Sequence, residues 1–195
     1  MIDLLAESME VPENRRSAML GRFQHLQRLS LIDGINPGRG RAAEYRAHQV
    51  LVVAVAFEML QLGLSPERVV QTIKANQDAI RLAIGLAVGK KGEIQPSVIW
   101  FDPAIVNGAA DGFDPAEATF DYGGEGSAVD RFKWFVSNSW VERMAVISIS
   151  GTLWHIIAAA EGHSGSSRPP IGPTSLAFLD ALHDWYRGSA PDSLT

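Results

Sequence analysis

Cysteine is absent from all 195 residues, which excludes disulfides and thiolate metal sites. The expectation that follows is a reducing, cytoplasmic setting. Metal-ligand spacing is absent too: His25, His48, His155, His163 and His183 include no pair three or four residues apart. The acid series Asp111, Asp114, Glu117 and Asp121 lacks the spacing of a calcium loop. No GxSxG elbow, phosphate-binding P-loop or strand-linked GxGxxG occurs. The sequence thus points to no enzyme, cofactor or metal. The N-terminus lacks the basic start and apolar core of a signal peptide. The longest apolar run, Val50 to Phe57, stops at Glu58 and is too short to span a bilayer, so no membrane partner is expected.

Net basic charge is also lacking, the formal balance being -5. Its distribution says more than its sum. Residues 1–75 hold nine basic and eight acidic side chains, whereas the remainder holds eight and fourteen. Between Asn14 and Ala43 there are six arginines and one acid, Asp33. An acidic body with a local arginine cluster fits a protein that touches nucleic acid with one face. Hydrophobic content of 46% against 20% charged places the chain among folded globular proteins, long enough for one large domain or two small ones.

The arginines fall on a regular pattern. Met19, Phe23 and Leu26 lie at i, i+4 and i+7, and Leu29 follows, so a helix is expected from Asn14 to Ile32 with Asn14 as its cap. The opposite face carries Ser17, Gly21, Gln24 and Arg28, with Asn14 and His25 at its edge. Glycine is unfavourable inside a helix unless something approaches the backbone there, or another helix crosses it. Asn36-Pro37-Gly38-Arg39-Gly40-Arg41 is a turn signal, and Tyr45 is a plausible strand residue after it.

A short helix over Ile2 to Met9 precedes this region. An apolar helix over His48 to Leu62 follows, stopped at Gly63. Ser65-Pro66-Glu67 opens another, and Asn76 a third that runs to about Val88. Lys90-Lys91-Gly92 marks a change. Short β segments are expected at Ser97 to Phe101, Ala118 to Tyr122 and Arg143 to Ile149, a helix at Gly151 to Ala160, and a last amphipathic helix at Ser175 to Tyr186. The stripe of that last helix is Leu176, Leu179, Leu182 and Trp185. Trp100, Trp134, Trp140 and Trp154 suggest the core of a small domain first, and a dimer or ligand surface second.

The HLQRLSLI segment (His25 to Ile32), the GRGRAAEY stretch (Gly38 to Tyr45) and the helix pair joined by LGLSPE (Leu62 to Glu67) carry a family pattern. Through them the first 76 residues resemble the winged helix-turn-helix domains of MerR-type regulators and related phage-type proteins. The chain lacks that family's Arg-Tyr-Tyr signature and its long coiled coil, so metal-thiolate sensing is not implied. The resemblance implies an α+β chain: a winged helix-turn-helix domain over 1–89, then a small mixed α/β dimerisation or regulatory domain over 90–195. It implies a homodimeric transcriptional regulator of double-stranded DNA, more readily a repressor, nucleoid-associated and with an effector the sequence does not name. A phage-type architectural or packaging protein, akin to small terminase subunits or excisionases, is the alternative, and a winged-helix protein-interaction module is another. Recognition-helix residues nearest the bases would be Asn14, Arg15, Arg16, Ser17, Gly21 and Gln24. Arg22 and Arg28 would hold phosphates, and Arg39 and Arg41 would form the wing.

Overall fold

The computed structural model describes residues 1–33, 44–89, 92–102, 120–137, 144–163 and 171–188. Among them lie eight helices and one three-stranded sheet, an α+β arrangement. The order is α1 (Ile2–Ser8), α2 (Glu13–Arg28), α3 (Ala47–Gln61), α4 (Pro66–Ala75), α5 (Gln77–Ala87), β1 (Val98–Phe101), β2 (Phe120–Gly123), α6 (Glu125–Ser137), β3 (Ala145–Ser148), α7 (Ile149–Ala160) and α8 (Pro173–Gly188).

Helix α3 is apolar almost all round because it is enclosed almost all round. It packs on α4, α7, α8 and β3, and eight of its side chains are buried. Its β-branched valines would suit a strand. Fifteen residues of uninterrupted helix satisfy every interior backbone group without a pairing partner. Leu62 ends it, and Gly63 adopts φ 98° so that Gly63 N–H reaches Leu60 O and Leu64 N–H reaches Met59 O.

Helix α4 starts as its sequence specifies. The Ser65 hydroxyl accepts from Arg68 N–H, Pro66 takes the first position and Glu67 lies in the first turn. Asn76 works differently from expectation. It precedes α5, but its side chain donates to Thr72 O at 2.9 Å, closing α4 rather than capping α5.

The sheet order is β2-β1-β3, antiparallel throughout, with Ile99 opposite Tyr122 and Ile147. Ile99, Phe101 and Ile147 turn into the core formed with the helices, and α5 and α7 pack on β1. Trp100, one residue out of phase, is buried outside that cluster. Trp154 is half-buried against the core, whereas Trp134 is exposed; Trp140 lies outside the described residues.

No helix is expected over 125–137 from the sequence pattern, yet α6 occupies it. Val129, Phe132 and Val136 have helical spacing, but the helix buries none of its residues, so no core stripe marks it. One cluster of buried apolar side chains runs from Leu5 to Leu182, and residues on both sides of 90 share it. Among the described residues no helix is long and apolar enough to cross a membrane.

Candidate nucleic-acid interface

Helices α1 and α2 meet through a tight turn. Glu10 takes φ 51°, its N–H bonds Glu7 O, and Val11 N–H bonds Ala6 O. Pro12 stands at the N-cap, and α2 begins at Glu13. Asn14 is therefore inside the first turn and does not cap the helix, a correction to the sequence expectation. Proline lacks an N–H and Glu13 suits the positive end of the helix dipole, so the cap lies two residues earlier, at Pro12.

The helix also ends earlier, at Arg28 rather than Ile32. Ser30 turns to φ 58°, Ser30 N–H reaches Gln27 O, and Leu31 N–H reaches Leu26 O. Leu26 and Leu31 are both buried, the apolar contact that accompanies this type of helix end.

Met19, Phe23 and Leu26 are buried, as their spacing requires. Their burial fixes the rotation of α2 and turns Asn14, Ser17, Gly21, Gln24 and Arg28 outward; all five are exposed. Arg15 and Arg22 are exposed on one flank. Arg16 is held closer, its Nε 3.1 Å from a Glu13 carboxylate oxygen. Arg28 Nε donates to Gln24 O at 3.4 Å, so its guanidinium lies along the outer face. A Cβ placed on Gly21 would meet nothing within 4 Å. No helix crosses α2 there among the described residues. The glycine leaves backbone open to whatever approaches from outside.

Two contacts brace α2 from behind. His25 Nε2 lies 3.1 Å from Glu67 Oε1 at the start of α4. Backbone and Ser65 hydrogen bonds at that helix start, with His25 adding to them, hold the Glu67 carboxyl below its usual range. Gln27 Nε2 donates to the Tyr45 hydroxyl, and the Tyr45 ring lies 6.0 Å from Phe23. Burial raises the Tyr45 phenol above its ordinary value, and the Gln27 bond partly offsets this. Tyr45 is not in a strand, contrary to expectation; its role is to fasten the chain to α2.

Arg39 and Arg41, the expected wing, lie outside the described residues. The chain on either side of them is anchored. Before it, Leu31 is buried and Asp33 pairs with Lys74 Nζ at 3.1 Å. After it, Tyr45 is tied to α2. Sequence reasoning missed Gln27, Lys74 and Glu67 as supports, because pairs of side chains 18, 41 and 42 residues apart leave no periodic signal.

No protein-family model, curated protein or solved structure matches the chain. Function therefore rests on the chain's own residues.

Proposed function

We propose that this chain is a sequence-specific, double-stranded-DNA-binding transcriptional regulator that presents α2 to the major groove. The observation that carries the reading is the outer face of α2: Asn14, Ser17, Gly21, Gln24 and Arg28 exposed together, flanked by Arg15 and Arg22. Arginine neutralises phosphates, while amide side chains read base edges. The order of α1, a four-residue turn, α2, an arginine-glycine segment and two further helices agrees with a winged helix-turn-helix. In that reading Arg39 and Arg41 supply the wing.

The regulator acts as a homodimer, since one recognition helix reads few base pairs and two half-sites gain from effective concentration. The stripe of α8 is not free for this role: Leu179 and Leu182 are spent on the chain's own core. Helix α6 has what self-association needs. Val129, Phe132 and Val136 are exposed along one side, and Phe132 is 60% exposed. Acidic Glu125 lies toward the start of α6 and basic Lys133 toward its end, so an antiparallel copy sets Glu125 against Lys133.

Fluorescence anisotropy with duplex DNA across a salt series tests the reading. Arg22→Ala and Arg28→Ala are expected to weaken binding, each lowering the slope of log affinity against log salt by about one. Gln24→Ala is expected to relax sequence preference. Binding without any sequence preference assigns the packaging or architectural class instead. Absence of binding leaves a protein-interaction module.

A further inference from the structure

A cleft of about 310 Å³ opens between the end of α2, the start of α3, helices α4 and α5, and α8. That volume is at the small end of ligand sites, enough for a molecule of one or two rings. Leu31, Val52, Ile73 and Ile80 give it an apolar lining. His48 and Trp185 add an aromatic side: their rings stack 4.4 Å apart and within 3° of parallel, so each holds the other in place.

Each charged side chain in the described lining is already matched. Asp33 accepts from Lys74 Nζ at 3.1 Å. Asp78 and Arg81 stand beside each other, with 3.8 Å between Arg81 Nε and a carboxylate oxygen. Burial and the nearby Arg46 charge lower the His48 imidazole below its ordinary range, so it is neutral at pH 7. A charged ligand would leave water and find no unmatched countercharge. What remains for hydrogen bonding is amide. Gln49 Oε1 accepts from Arg46 N–H at 2.9 Å, which leaves its amide nitrogen to donate. The Gln77 amide, at the first position of α5, has no hydrogen-bond partner among the described residues. It offers a donor and an acceptor side by side.

We propose that this cleft binds an uncharged planar lactam of one or two rings, with its ring on the apolar and aromatic lining and its N–H and C=O edge on the Gln77 amide. The pairing uses two hydrogen bonds, one in each direction, as when a glutamine amide meets the edge of adenine. Apolar ring area supplies the affinity, and the amide edge supplies the choice of ligand. The described lining includes none of the outward residues of α2, so the site stands whether or not the chain binds DNA.

The test uses 4-quinazolinone as probe on the full chain, with calorimetry and tryptophan fluorescence in the absence of DNA. It is expected to bind, and its derivative methylated at the lactam nitrogen, which has lost the N–H, to bind at least about fivefold more weakly. Naphthoate and N-methylquinolinium are planar two-ring ions of opposite sign. Each is also expected to bind at least about fivefold more weakly than the probe. Gln77→Leu, a change at an exposed position, is expected to erase the preference for the N–H form with the helical circular dichroism unchanged. Val52→Phe, which fills the cleft, is expected to abolish binding. No binding of the probe, equal binding of the methylated form, or equal binding of either ion overturns the site. So does a preference that survives in Gln77→Leu, or unchanged binding to a folded Val52→Phe variant. If Val52→Phe unfolds, Gln77→Leu decides alone.

Discussion

Gly21 and Gly85 are both interior helix residues, and their surroundings give them opposite roles. Nothing lies within 4 Å of a Cβ built on Gly21, so it carries the entropic penalty of helical glycine with no packing return. Gly21→Ala is expected to stabilise the protein by about 0.5–1 kcal/mol in urea unfolding, the helix propensity difference. On the DNA reading the added methyl also weakens binding, because it stands on the face that meets the groove. A variant that is more stable and binds DNA unchanged would separate Gly21 from the interface. Gly85 is buried in α5, and a Cβ there would run into the Tyr186 ring of α8. Gly85→Ala is expected to lower stability by about 1–3 kcal/mol, since a packed ring must move. The same two denaturation curves check both signs.

Helix α8 is docked through two groups with shifted titration, Glu161 and His48. At its N-terminus the Glu161 carboxylate accepts from Ser175 N–H at 2.9 Å and from the Ser175 hydroxyl at 2.7 Å. These bonds hold the Glu161 carboxyl below its ordinary value of 4.5. Further along, Trp185 stacks on His48, whose pKa is lowered from 6.5, chiefly by burial. Both shifts are downward, so both contributions are present above the ordinary value and lost as pH falls through the shifted one. The His48 share fades first, as pH drops below about 6.5; the Glu161 share fades below about 4.5. Unfolding midpoints measured from pH 8 to pH 4 are expected to decline across the upper window. In His48→Gln that decline should flatten, while Glu161→Gln should flatten only the acid end. An unchanged upper decline in His48→Gln would place the titrating group elsewhere.

At the scale of the whole molecule, the proposed homodimer requires a surface for a second copy. Apolar side chains of α1 to α5 and of β1, β3, α7 and α8 join one cluster, which leaves little unclaimed apolar surface there. Exposed large apolar residues are most frequent on α6, which carries Val129, Phe132, Trp134 and Val136, whereas Leu20, Leu62, Leu86, Val146 and Leu176 are spread over other elements. Light scattering on the full chain is expected to give a mass of about two chains. Phe132→Asp should give one chain with its helical circular dichroism unchanged, because the ring is mostly in water within a single chain. A dimer that survives this change would exclude α6 as its interface.

Local physics determined much of this protein. The stripe of Met19, Phe23 and Leu26, the Ser65-Pro66-Glu67 helix start, the stop at Gly63 and the three strands near their expected positions all follow from spacing, capping and turn chemistry. Those signals depend on neighbours a few residues apart, which a sequence displays directly. The end of α2 escaped, because Ser30 holds a left-handed position where glycine is usual. Helix α6 escaped because it buries nothing. Tertiary structure alone decided that Tyr45 is bonded by Gln27, that Lys74 holds Asp33, and that His48 stacks on Trp185. The last pairing joins residues 137 positions apart in the chain. Such contacts form only once the core has fixed where helices sit, and no local pattern encodes them.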